Sequence, residues 1–147
     1  MGKIEAVCIS EAKGVQKHSV AQGLLQAEHG LVGDAHAGNW HRQVSLLAQE
    51  QIEAFKKRGE VIIEDGAFGE NLVVSGLDLA RLPVGTRLSC GDAILEVTQI
   101  GKECHHGCQI RQVMGDCIMP REGIFAKVLR GGTVKAGDAI DILNKLS

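Results

Sequence analysis

The chain has 147 residues, enough for one domain with a sizeable core and short for two. Its net charge is −2, which excludes the global basic field expected of a nucleic-acid binder or an anionic-membrane binder. The hydrophobic fraction is 44% but aromatics are only 3%, so the core has to be built from Val, Ile, Leu and Ala.

Read in order, Lys3 to Ile9 forms an opening strand, because its run is short and β-branched. Cys8 lies inside that run and reads as a buried small hydrophobe. Ser10 to Gly23 is polar and contains glycine. Leu24 to Leu31 is ambiguous between helix and strand. A loop, Gly33-Asp34-Ala35-His36-Ala37-Gly38-Asn39-Trp40-His41-Arg42, follows, and then a strand over Gln43 to Leu47. The clearest helix runs from Ala48 to Arg58. Leu47, Ile52 and Phe55 share a face, acidic Glu50 lies early, Lys56, Lys57 and Arg58 lie late, and Gly59 provides the stop.

The texture then changes to short β-like runs broken by glycine: Leu72 to Ser75, Arg87 to Cys90, Ala93 to Ile100, Val134 to Lys135 and Ala139 to Leu143. Gly91-Asp92 and Gly137-Asp138 supply similar turns. Many short strands with one good helix predict a mainly β fold with a few helices (α+β), arranged as a barrel or sandwich in a single domain spanning 1–147. No run is long and apolar enough to span a membrane, and Glu5 interrupts any signal-peptide core, so the expected location is cytoplasmic. The 5 Cys are then expected to be reduced, and their odd number fits poorly with a closed disulfide framework.

The most chemically loaded segment is Lys102-Glu103-Cys104-His105-His106-Gly107-Cys108, followed by Cys117. Three readings are open. Cys104 and Cys108, with a third Cys or a His, supply enough ligands for tetrahedral zinc, although only one hook is visible. Alternatively, Lys102, the two imidazoles and Arg111 favour a charged sulfur, a reactive thiolate able to carry sulfur or to ligate a soft metal. The bland reading is a set of small buried residues. In the 33–42 loop, Gly33 and Gly38 allow close backbone approach to an anion, His36 and His41 add donors, and Arg42 offers a bidentate clamp. The bland reading there is a surface turn in which Asp34 bonds its own backbone. Phe68-Gly69-Glu70-Asn71-Leu72 is a second glycine-centred corner, in which Asn71 either faces a ligand or satisfies backbone groups. Arg121 faces an anion or solvent. Trp40 reads as a packed cap over the loop.

Taken in order, Gly33 to Gly38, Phe68 to Leu72, Leu82-Pro83-Val84-Gly85-Thr86, the later cysteines, Gly123-Ile124-Phe125-Ala126-Lys127-Val128 and Gly137 to Ile140 resemble the MOSC domain, the module named for the C-terminal part of molybdenum cofactor sulfurases. The likeness covers roughly Lys3 to Leu143, and the chain is similar to the short stand-alone members. The resemblance implies a MOSC-type β-barrel that binds the molybdenum cofactor (molybdopterin), with no pyridoxal-phosphate site of its own. It also implies a family cysteine that carries sulfur as a persulfide or ligates molybdenum. Gly107-Cys108-Gln109-Ile110 fits that context first, so Cys108 takes the role, with Cys104 second. Gly33, Asp34, His36, Gly38, Arg42, Asn71 and Arg121 are then the residues expected to hold the cofactor. The expected partners are the cofactor itself and molybdoenzymes or cofactor-biosynthesis proteins, with neither nucleic acid nor membrane. The activities implied are sulfur transfer or, alternatively, reduction of N-hydroxylated compounds by a small molybdenum enzyme. A zinc-stabilised binding module without enzymatic activity is the remaining alternative.

Overall fold

The computed structural model describes residues 2–12, 15–59, 64–101 and 123–143. Its elements are β1 (Gly2–Ile9), β2 (His18–Val20), β3 (Gln22–Gln26), β4 (Gly30–Leu31), β5 (Val44–Ala48), α1 (Gln49–Gly59), β6 (Leu72–Ser75), β7 (Arg87–Cys90), β8 (Ala93–Ile100), β9 (Ile124–Arg130), β10 (Gly132–Lys135) and β11 (Ala139–Ile142). The predicted strands and the helix all occur, displaced by at most a residue or two at their ends. The ambiguous stretch 24–31 resolves into β3, a turn and β4. β2 and β9 go beyond the predicted elements.

Hydrogen-bonded strands run in the order β11-β7-β8-β9-β5-β6-β1, and β11 pairs with β1 again, so the sheet closes on itself as a barrel. Closure is made at Gly2↔Ile140 and Lys3↔Ala139. Further along β1, Val7↔Val20 and Ile9↔His18 pair with β2 instead. One edge of β1 is therefore divided between two partners, while β6 covers the other edge. Closure leaves few open edges for another chain to pair with. A small second sheet, β10-β3-β4, lies apart from the barrel ladder. Among the described residues no helix is long and apolar enough to cross a membrane.

Strand periodicity divides the apolar residues between two cores. Ile4, Val7, Val44, Leu46, Leu72, Val74, Leu88, Leu95, Val97 and Ile124 belong to the barrel interior. Ala6, Cys8, Leu47, Val73 and Phe125 point the other way, into a smaller cluster with Ile52, Phe55 and Phe68. The helix lies over this outer cluster, with the Phe55 and Phe68 rings edge to face at 5.0 Å. All five residues of β5 are buried for this reason. A strand buried on both faces loses its apolar–polar alternation. β9 loses its alternation only at its start, since Phe125 packs outward while Ile124 and Ala126 pack inward.

β5 and β6 run parallel, in register at Leu46↔Leu72 and Ala48↔Val74. Parallel neighbours need a crossover, and α1 is part of it. Asn71 fixes the point where the chain re-enters the sheet. Its Oδ1 accepts from Ser45 N–H at 2.9 Å and from the Ser45 hydroxyl at 3.2 Å, and its Nδ2 donates to Cys8 C=O at 3.0 Å. The side chain thus ties β1, β5 and the start of β6 together while only 1% exposed. Replacing it by Ala would leave the Ser45 amide and the Cys8 carbonyl buried without partners, at roughly 1–3 kcal/mol each. Asn71→Ala should therefore lower the urea midpoint by an amount equivalent to about 2–4 kcal/mol with an unchanged m-value. A loss below about 1 kcal/mol would contradict the clamp.

Candidate functional site

The site is built where β1 ends, β2 begins and the 33–42 loop folds back over both. The antiparallel turn-back of β2 onto β1 brings Lys17 beside Ser10. Ala35 N–H donates to Ser10 C=O at 2.8 Å, which lays the loop against the end of β1. On the other side, Lys17 N–H donates to Gly66 C=O at 2.8 Å. Gly66 has φ +90°, and a Cβ there would stand 2.3 Å from the Lys17 carbonyl oxygen, so only glycine permits this approach.

Inside this frame lies a buried ion pair. Lys17 Nζ is 2.7 Å from Asp34 Oδ1, and both side chains are 0% exposed. Lys17 Nζ also lies 3.1 Å from Ser10 Oγ and 3.0 Å from His36 Nδ1. Asp34 accepts further from Ser10 N–H at 3.0 Å and from His36 N–H at 3.2 Å. Burial works against both charges. For Asp34 the ammonium and these amides outweigh it and hold the carboxyl below its usual range. Burial pulls Lys17 down, opposed chiefly by its bond to Asp34. Lys17, the Ser10 and His36 amides and the Asn71 side chain all donate towards Asp34, so the pair is ionised, with Asp34 the anion.

Around the corner, Glu70 is 1% exposed and caps the 64–69 turn. Its carboxylate oxygens accept from Gly66 N–H at 2.9 Å and Phe68 N–H at 3.0 Å. Burial nevertheless raises its pKa to about 7. The described cysteines, Cys8 and Cys90, are both buried. Burial pushes the Cys90 thiol up to about 12, and the Cys8 thiol rises further, with Glu70 adding to the effect. Neither is a thiolate at neutral pH.

Trp40 and Arg42 form the outer half of the site. Trp40 Nε1–H donates to His36 C=O at 2.8 Å, so the indole caps the loop as the sequence suggests. The Arg42 guanidinium stands 4.7 Å over that indole and 5.6 Å from the Phe125 ring. Its Nε is buried and has no hydrogen-bond partner among the described residues. Beside these residues a cleft of about 490 Å³ is lined by Trp40, His41, Gln43, Thr98 and Lys127, among others. His41 Nε2 and Gln99 Oε1 are 2.9 Å apart at its exposed edge.

Of the residues expected to hold a cofactor, Gly33, Asp34, His36, Gly38 and Arg42 share this one loop. Asn71 lies below it, with its amide joined to the barrel strands. Asp34 supports the loop from within and does not face outward. Cys104, Cys108, Arg121, and with them His105, His106 and Cys117, lie outside the described residues. Among the described residues no three His, Cys, Asp or Glu side chains gather to hold a metal. Lys17 and Ser10 are the site residues that sequence reading misses. Lys17 is one cation in a polar stretch, and nothing in its neighbours signals burial.

A family model described as the MOSC domain matches residues 33–141. No curated protein matches the chain. Among solved structures, the YuaD protein of Bacillus subtilis is 23% identical with a TM-score of 0.78, covering 95% of this chain and 94% of its own. YiiM of Geobacillus stearothermophilus is 17% identical with a TM-score of 0.75, covering 98% and 76%. YiiM of Escherichia coli is 19% identical with a TM-score of 0.70, covering 99% and 71%. At these identities the structures share the fold with this chain.

The raised pKa of Glu70 has a stability consequence. Between the ordinary carboxylate range and about pH 7, native Glu70 holds a proton that the unfolded chain releases, so its contribution falls as pH rises through that window. Glu70→Gln removes the titration. From about pH 4.5 to 7 the variant's stability relative to wild type should rise by about 3 kcal/mol. Parallel stability curves for the two proteins would contradict the assignment.

Proposed function

Because the chain belongs to the MOSC domain family, which is associated with molybdenum-cofactor binding, we propose that it binds molybdopterin at the 33–42 loop and serves it with a cysteine of the 104–108 segment. The observation that carries this reading is Arg42 Nε, a buried donor without an acceptor among the described residues. A buried unpartnered donor is costly, and an anionic ligand group is the acceptor that suits a guanidinium best. The Trp40 indole and the Phe125 ring hold Arg42 in place before any ligand arrives. Gly33, with φ +90° and, among the described residues, only the Ile9 side chain near its Cβ position, keeps the loop backbone open to close approach.

These residues fit the phosphate end of the cofactor. When bound, the cofactor would supply a dithiolene-held metal able to accept a thiolate or a terminal sulfur. Arg42 and the loop would bind and orient the anionic end. Asp34 and Lys17 would hold His36 and the loop in one arrangement. The described cysteines are unsuited to sulfur chemistry, being buried with raised thiol pKa values. That work falls to Cys108, with Cys104 second, as sulfur carrier or metal ligand. The expected recipient is a molybdoenzyme or a protein of cofactor assembly.

Two measurements test the proposal. Arg42→Ala should weaken molybdopterin binding by about 10- to 100-fold in a fluorescence titration, the size of a lost charged hydrogen bond. An unchanged Kd overturns the assignment of the loop. Cyanide treatment of native protein should release thiocyanate, and Cys108→Ala should abolish that release. A yield unaltered in both Cys108→Ala and Cys104→Ala removes the carrier role, and one molybdenum per chain in such a sample would favour a reductase.

A further inference from the structure

We propose that Lys17 is a positioning residue that fixes the tautomer of His36, with Nδ1 committed to the ammonium and the ring proton on Nε2. The use of this donor rests on the anion-binding reading above, but the geometry does not.

The argument counts protons around Lys17 Nζ. An ammonium has three donors and no acceptor. Three groups surround it: Asp34 Oδ1 at 2.7 Å, Ser10 Oγ at 3.1 Å and His36 Nδ1 at 3.0 Å. The Ser10 hydroxyl sends its own proton to Ala12 C=O at 2.9 Å, so towards Lys17 it can only accept. Asp34 is an ionised acceptor, also held by the Ser10 and His36 amides. Two of the three Lys17 protons are thereby placed. At Nδ1 there are two possibilities: an ammonium donates its third proton to the ring, or a neutral amine accepts a proton from it. The carboxylate at 2.7 Å decides for the ammonium, and Glu70 acts on Lys17 in the same sense. His36 Nδ1 is then an acceptor, and the remaining ring proton sits on Nε2. The ring is also anchored through its backbone, by N–H to Asp34 Oδ2 and by C=O to the Trp40 indole. Lys17 thus acts on a ligand only through His36, by deciding which face of its chemistry the imidazole presents.

The test is 15N-histidine NMR of the full chain at pH 8, where two-bond 1H–15N correlations distinguish the tautomers. Wild type should show His36 as the Nε2–H form alone. Lys17→Met should release the bias by about tenfold in the tautomer ratio, so that an Nδ1–H population appears, and Lys17→Arg should restore the wild-type pattern. Lys17→Met leaves a buried carboxylate unpaired. The paired variant Lys17→Met with Asp34→Asn removes the buried charge, keeps an acceptor for one of the two amides, and should give the same mixture. An Nδ1–H signal in wild type means a neutral amine and overturns the inference by itself. So does a wild-type pattern that persists in a folded Lys17→Met or paired variant. No cofactor enters these measurements, so their failure leaves the Arg42 assignment standing. Loss of that assignment leaves the tautomer result intact.

Discussion

The ion pair between Lys17 and Asp34 is the contact on which the site depends. Two charges at full burial are costly to desolvate, and they persist only where every remaining donor and acceptor is matched. Here the matching is complete on the Lys17 side, with Asp34, Ser10 and His36 around one ammonium. Ammonium and acceptors come from three parts of the chain. Ser10 ends β1, Lys17 leads into β2, and Asp34 and His36 lie in the loop before β5. The pair therefore does more than hold two side chains. It sets the loop against the barrel and orients the imidazole that the loop presents. Removing one partner would be far more damaging than replacing both, because a lone buried charge has no compensation.

The barrel makes such a site possible by supplying a rigid rim. Seven strands close around an aliphatic interior, and a second cluster under α1 stiffens the wall formed by β1, β5 and β6. Polar residues occur in that wall where the chain changes direction. Asn71 joins three segments, and Glu70 caps the turn just before it. The functional groups are then carried on the connections, where the backbone can depart from the ladder, while their anchors lie in the strands. Arg42 illustrates this division: it stands at the end of the loop, and Phe125 of β9 supports its guanidinium from the barrel.

Acid–base chemistry is sorted by burial across the same region. Asp34 stays ionised because cationic and amide donors converge on it, whereas for Glu70 burial outweighs the amides it accepts and it titrates near neutrality. Cys8 lies close to both and is driven towards the neutral thiol. Two carboxylates and a thiol with similar sequence surroundings thus acquire different charge states. Between the two carboxylates the difference follows from how far donors offset burial.

Local order in the chain was enough to establish most of the described elements, the α1 helix and a mainly β architecture. Alternation, glycine turns and one amphipathic repeat are short-range signals that survive without neighbours. β6, β7 and β8 are legible to the residue for that reason. The loop from Gly33 to Arg42 also stood out through its glycines and polar residues. The closed barrel agrees with the expectation carried by the MOSC resemblance, whereas local pattern left barrel and sandwich open, since the pairing of β1 with β11 joins residues from the two ends of the chain. β9 escaped notice because its first three residues are all buried, which blurs the period there. Lys17 escaped because burial of a charge is decided by distant residues: Asp34 and the Gly66 turn place it, and neither is near it in sequence. The residue types available for chemistry were therefore written in the sequence. Which of them meet, and which protons they hold when they do, is a property of tertiary packing, because desolvation and hydrogen bonding act through space.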